Sequence, residues 1–381
     1  MAEVTGSNEF QGKEESDSSQ ENKPPFAEQT GTSLNISQKS VEVQEKPEVF
    51  GGPIGLDVGT SNIVMAQNKG AKIGIATQLN AFFAIPQSKF TGQILSQNDI
   101  VFFEHNKQYY IIGDSAENFA NMFNANTRRP MEKGFLTLRE DSGVAIIQAI
   151  IKTLVQRPKK LGEIICFTVP GEPLHEDHKF SSLDGHESVI RMYLESLGYT
   201  PIAINEGLAV VMAELGDENF TGIGISIGGG MCNICLSYMS VPVIMYSIQK
   251  GGDDIDESVS GEVELSATKI KGIKEGGLDL SALPKNNVEL ALQICYTDLI
   301  NHVVRSMESV FSSSNKIPKI SQPVPIVIGG GAASPKGFRE KFENTLRSVR
   351  LPFEISSVRV SKDPLYTTAK GALAMAISES K

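Results

Sequence analysis

The chain has 381 residues, 40% hydrophobic and 21% charged, with a net charge of −10. That length suits two domains better than one core, and the composition excludes collagen-like, coiled-coil and disulfide-scaffold classes. The sequence shows neither a signal peptide nor an apolar run near the roughly 20 residues that cross a bilayer. Its four cysteines, Cys166, Cys232, Cys235 and Cys295, suit a reducing cytoplasm, and its acidity argues against a nucleic-acid surface.

Residues 1–50 carry ten acidic side chains against four lysines. Rich in Ser, Gln, Asn and Glu, they cannot bury enough apolar surface to offset ordering, so a disordered acidic tail is expected. It is either a solvated leader or a tether for an unknown partner. From Gly51 the texture changes. Ile54, Leu56 and Val58 alternate as a strand, and 62–67 returns as its partner through a turn at Gly59–Ser61. Residues 71–112 read as short strands and loops, with a helix beginning near Asp114.

A helix is predicted over 141–157, with Asp141 and Ser142 as N-caps and Val144, Ile147, Ile151, Leu154 and Val155 on one face. Strand 164–169, helix 185–197, strand 201–204 and helix 206–215 follow. The opening pattern then returns as TGIGISIGGG (221–230) and CNICLSY (232–238). A helix near 287–311, with Leu290, Ile294, Leu299 and Val303 as its core face, precedes strand 326–331. A helix from about Pro335, a strand near 353–360 and a helix near 366–378 complete the chain. Interleaved strands and helices make the class α/β.

The repeat organises the rest. Asp57 and Ser226 hold equivalent places 169 positions apart, which implies two duplicated lobes with a cleft between them. Gly59-Thr60-Ser61-Asn62 can aim several N–H groups at one anion, and Gly228-Gly229-Gly230 can do so from the other half. Either turn alone is equally ordinary hairpin chemistry; the pair in register points to phosphate. Asp57, in an apolar strand beside such a nest, is either held by hydrogen bonds or placed to hold Mg2+ through water. Gly329-Gly330-Gly331 can pack on a nucleoside or simply turn the chain. Cys232 and Cys235 fall on opposite strand faces and read as buried thiols; His175 and His178 read as a solvated helix start.

IGLDVGTSN, ISIGGGMCN and IVIGGGAASPKGF resemble the two phosphate motifs and the adenosine motif of the actin, sugar-kinase and heat-shock-chaperone ATPase superfamily. GDSAENF, RRPMEKGFL, INEGLAVVMAEL, GGDDIDES, ELSATKIK and KDPLYTTAKGALAMA, in that order over 52–378, resemble bacterial actins of the MreB and MamK type. The resemblance implies an actin-like ATPase fold with ribonuclease-H-like lobes: lobe I over 51–220, lobe II over 221–365, and a crossing helix over 366–381 that returns to lobe I.

It implies, too, that Gly59, Thr60, Ser61 and Asn62 grip the phosphates of ATP, that Gly228, Gly229 and Gly230 clasp them from the opposite lobe, and that Asp57 holds Mg2+. Glu206 would orient the attacking water, Glu264 and Lys271 would lie near ribose and adenine, Gly329, Gly330 and Gly331 would pack on the nucleoside, and Asp253 would couple the lobes. The chain departs from the family at Ser226, where an Asp is usual, and at Met231-Cys232, where Thr-Thr is usual; both imply slow turnover. The segment between GGDDIDES and ELSATKIK is short, which implies a reduced subdomain. The expected function is a cytoplasmic, MgATP-binding cytoskeletal protein that self-associates into filaments. The alternative is a non-polymerising scaffold or assembly ATPase.

Overall fold

The computed structural model describes residues 51–70, 72–98, 100–123, 125–137, 142–174, 183–320 and 322–380. The acidic tail, Asp141, His175 and His178 lie outside them. In chain order, β1 (Ile54–Val58), β2 (Asn62–Lys69) and β3 (Lys72–Leu79) form an antiparallel meander. β4 (Phe82–Pro86), α1 (Lys89–Gln97), β5 (Phe102–His105), β6 (Gln108–Ile112) and α2 (Asp114–Met122) follow as a small subdomain around Leu95, Phe102 and Ile111. After the two-residue strands β7 (Met131–Glu132) and β8 (Phe135–Leu136) come α3 (Gly143–Leu154), β9 (Ile164–Val169), α4 (Leu183–Leu197), β10 (Thr200–Asn205) and α5 (Glu206–Glu214). The second half contains β11 (Gly222–Ile227), β12 (Cys232–Tyr238), β13 (Val241–Ile248), α6 (Gly252–Glu262), α7 (Ala267–Glu275), α8 (Asn287–Ser313), β14 (Val324–Gly329), α9 (Phe338–Leu346), β15 (Ile355–Val360) and α10 (Thr367–Glu379).

The duplication extends through both sheets. One runs β10-β9-β1-β2-β3 and the other β15-β14-β11-β12-β13. In each, the meander is antiparallel and the two outer strands join in parallel. The spacing of 169 that relates Asp57 to Ser226 also relates the first residues of β3 and β13, Lys72 and Val241. The central strands are apolar, with β11 and β14 wholly buried, as strands covered by helices on both faces must be.

The helices that cover them are exchanged. α5 leaves β10 and lies across β11 and β12; α10 leaves β15 and lies across β1 and β9. Each crossing is admitted by a glycine in the first strand of its sheet. A Cβ on Gly55 would overlap Ala369 O and Leu373 N, and one on Gly224 would overlap Gly207 O. The two glycines are themselves 169 apart. The crossing helices also touch each other, because a Cβ on Gly371 would overlap Ala209 O. All of this lies in one unit, Asn35–Lys381.

Several local expectations need correction. α1 was not expected; Ser88 caps it by accepting Thr91 N at 3.0 Å. Ser142 makes no capping bond to α3, since its hydroxyl pairs with Tyr110 OH at 3.1 Å. Leu290 and Ile294 are exposed, at 46% and 60%. The buried face of α8 starts two residues later, at Leu292, and runs through Tyr296, Leu299, Val303 and Met307. The step from 294 to 299 is five residues, which turns a helix well off one face. The helix expected from Pro335 starts at Phe338, after Gly337 in the left-handed region (φ +82°). Cys232 and Cys235 are buried, with Cys232 Sγ bonded to Lys250 O. No helix among the described residues is long and apolar enough to cross a membrane.

Candidate functional site

The two glycine turns close with the same hydrogen bond. Gly59 N donates to Asn62 O at 3.1 Å, and Gly228 N donates to Met231 O at 2.9 Å. Each turn is held from behind. Asn80 donates its side-chain amide to Gly59 O and its backbone N–H to Ser61 O, both at 2.9 Å. The start of α6 does the equivalent for the second turn, with Gly252 N on Gly228 O at 2.9 Å and Asp253 N on Gly229 O at 2.8 Å. The turns face each other so closely that a Cβ on Gly229 would overlap Ser61 Oγ. One on Gly230 would meet Thr60 Oγ1 at 2.5 Å. Between them opens a cavity of about 690 Å³, within the range of small-ligand sites.

Among the described residues, the backbone N–H groups of Thr60, Ser61, Gly229 and Gly230 have no acceptor. Thr60 and Gly230 are buried and Ser61 and Gly229 half-buried, and buried donors are rarely left so. Four of them from two facing turns, with glycine where a side chain would fill the gap, make a donor set that fits an oxyanion chain such as a polyphosphate.

Two carboxylates border the same space, and the duplication relates their settings. Asp57, on β1, accepts from Thr168 Oγ1 at 2.7 Å and from Thr368 on α10. Ser226, the equivalent of Asp57, donates from β11 to Glu206 Oε2 on α5 at 3.1 Å. The carboxylate and the hydroxyl have exchanged places between strand and crossing helix. Asn233 adds a second bond to Glu206 Oε2 at 2.9 Å. Burial raises the Asp57 pKa against the pull of its two hydroxyl donors. Burial, and then the nearby Asp57 charge, push Glu206 up to about 8, although Ser226 and Asn233 pull it down.

An unfolded glutamate ionises near 4.5. Between there and about pH 8 the folded state keeps a proton that the unfolded chain has released. The stability from this difference is full below the window and is lost as pH rises through it. Glu206→Gln keeps an oxygen acceptor for Ser226 and Asn233 and removes the ionisation. Its melting temperature is expected to vary less than the wild type's between about pH 6 and 8.5 and to lie higher at the upper end. Parallel melting curves across that range would contradict the assignment.

Above the turns the lobes are tied by charge. Arg129, beyond α2, pairs with Asp253 on α6 and donates to Ser61 Oγ at 3.0 Å. Burial works to raise the Asp253 pKa, but the Arg129 guanidinium holds it below the usual carboxylate range. A second pair of opposite polarity joins Lys271 on α7 to Glu117 on α2 at 3.5 Å. Within the second lobe, buried Lys274 bonds Asp256 at 2.7 Å and Gly252 O at 2.8 Å.

Of the residues expected from the sequence, Asp57, Gly59, Thr60, Ser61, Asn62, Glu206, Gly228, Gly229, Gly230, Asp253, Lys271, Gly330 and Gly331 all line this cavity. Gly329 does not. It ends β14 and packs against Thr367 and Val210 beneath the crossing helices. Glu264 does not either, because it lies in the link before α7, whose cavity face is Lys271, Lys274 and Glu275 at helical spacing. Thr168, Thr368, Asn233 and Arg129 were not expected. Only the duplication hinted at Thr368, which matches Glu206 when the two crossing helices are superposed on their glycine contacts.

Two like lobes, exchanged covering helices and an interlobe cavity lined by paired glycine turns define the actin-like ATPase fold. Residues 53–376 match the Volactin family, and the chain belongs to it. Solved structures agree on the fold. The MamK double helical filament is 18% identical with a TM-score of 0.61, covering 85% of this chain and 98% of that one. MreB 5 of Spiroplasma citri bound to AMPPNP is 14% identical at 0.60, covering 86% and 96%. The ethanolamine utilization protein EutJ from Carboxydothermus hydrogenoformans is 17% identical at 0.51, covering 84% and 89%. No curated protein matches the chain.

Proposed function

We propose that the chain binds MgATP between its lobes and self-associates into filaments in the cytoplasm, with slow hydrolysis. The carrying observation is the set of four unspent N–H groups on two facing turns beside Asp57 and Glu206. In this reading Gly59–Asn62 and Gly228–Gly230 hold the phosphates, and Asp57 would hold Mg2+. Gly330 and Gly331 lie against the nucleoside, and Lys271 lies near its base end. Bound Mg2+ supplies neutralisation of phosphate charge. Glu206 orients the attacking water. Asp253 couples lobe closure to occupancy, which biases a head-to-tail contact between copies; such contacts build open polymers. The likeness to a MamK filament supports self-association.

Slow turnover follows from Ser226. A hydroxyl spends itself on Glu206 and brings no charge to the metal end of the cavity. Ser226→Asp is expected to raise MgATP turnover about 10-fold or more, the scale on which groups behind a metal's ligands change activity. An unchanged rate at saturating Mg2+ would remove Ser226 as the cause. The reading as a whole is tested by binding of a fluorescent ATP analogue, followed by pelleting and negative-stain microscopy with and without MgATP. The brevity of the α6–α7 region favours a second reading, a non-polymerising scaffold. Tight ATP binding with no pelletable polymer would select it.

A further inference from the structure

Arg129 occupies a position that the proposed function leaves unused. Its Nη1 makes both bonds just described, to Ser61 Oγ and to Asp253 Oδ2. Ser61 Oγ in turn donates to Asp253 Oδ1 at 3.2 Å. The other edge of the guanidinium, Nε and Nη2, has no acceptor among the described residues. Arg129 lines a second cavity, of about 470 Å³, that shares Thr60, Gly230, Asp253, Asp256 and Lys271 with the first. The side chain is only 19% exposed, so these unspent donors are held in place. A planar fork with one edge engaged and one free is suited to a tetrahedral oxyanion.

Asp253 lies one hydroxyl away from the point where the two turns come nearest. In the nucleotide reading, that point receives the last phosphate of the chain. A carboxylate there repels a third phosphate and hardly affects a second one further back. Among the described residues, Arg129 is the first-lobe cation that pairs with Asp253, and Lys274 of the second lobe adds a weaker attraction. We propose that Arg129 sets the preference of this site for a nucleoside triphosphate over the diphosphate: with the diphosphate bound it stays on Asp253, and a third phosphate arriving at Ser61 becomes an acceptor for its fork. The proposal rests on the nucleotide reading and adds to it which phosphate is sensed and by what.

The signs of two substitutions separate this from a mere clasp. Arg129→Gln leaves Asp253 facing the third phosphate. AMPPNP affinity is expected to fall about tenfold or more while ADP affinity changes little. Asp253→Asn leaves Arg129 unpaired, and the preference for AMPPNP is expected to rise. The double variant returns the ratio toward wild type. A residue pair that only held the lobes together would weaken both nucleotides alike, whichever partner was removed.

The test is calorimetric titration of the full chain and each variant with AMPPNP and with ADP, both with Mg2+, after thermal melts establish folding. Arg129→Lys, which keeps the charge, is expected to fall between wild type and Arg129→Gln. It decides the matter together with Asp253→Asn if Arg129→Gln does not fold. Equal weakening of both ligands by Arg129→Gln, or loss of AMPPNP preference in Asp253→Asn, overturns the proposal. A wild-type chain that binds neither ligand overturns the nucleotide reading itself, and the proposal with it.

Discussion

Gly55→Val and Gly224→Val are each expected to give no cooperatively melting protein. Both glycines sit where a crossing helix meets the first strand of a sheet, and the nearest atom a side chain would strike is backbone in each case. A side chain in the way can change rotamer; a carbonyl or an amide inside a helix cannot. The cost should therefore exceed the roughly 1–3 kcal/mol of ordinary overpacking and remove most of a stability margin of about 5–15 kcal/mol. Gly272, inside α7, supplies the contrast: nothing lies within 4 Å of where its Cβ would be. Gly272→Ala should stabilise by about 0.5–1 kcal/mol, because it only removes freedom from the unfolded chain. Soluble yield and thermal melts check both. A normal melt for Gly55→Val would mean that α10 does not lie on β1 as described.

Gly229→Ala is expected to weaken triphosphate binding by about 100-fold, as the loss of one or two charge-assisted bonds would. The added methyl overlaps Ser61 Oγ and lies 2.9 Å from Ser61 Cβ; a new Ser61 rotamer relieves the first contact but not the second, so the turns must part. Parting them pulls the Ser61 and Gly229 amides off a common target and stretches the Arg129–Asp253 tie. Gly228→Ala is the milder comparison, since its Cβ would meet only Met231 O at 3.3 Å. Titration of both variants with AMPPNP reads the difference. Comparable weakening by the two would show that the close approach of the turns is not what binding requires.

Much of this architecture is legible in the sequence because glycine and alternation are local signals. The first strand and turn of each half carry both, and the constant spacing of 169 links them. The third strand of each meander was harder. β3 is largely half-exposed and β13 begins exposed, so neither alternates cleanly. The outward Leu290 and Ile294 misled because their four-residue spacing is as helical as that of the true buried face; only packing against α6 and α9 tells the two apart. At the site, residues near a glycine turn were legible. Those brought in from far along the chain, Thr168 and Thr368 beneath Asp57 and Arg129 across from Asp253, were not, because their meaning lies in a partner 111 to 311 positions away. Glu264 stands off the cavity for the converse reason: the cap at Ser266 starts α7 after it, which leaves it in the preceding link.

The exchange of covering helices bears on how the polypeptide is made. β1, β2 and β9 leave the ribosome early, yet the helix that shields them, α10, is the last described element to emerge. Until then the early sheet has a bare oily face, while α5 waits for a sheet not yet translated. Neither half can finish alone, so both halves are completed together once α10 has been made, and the interval before it is when chaperone capture or aggregation would strike.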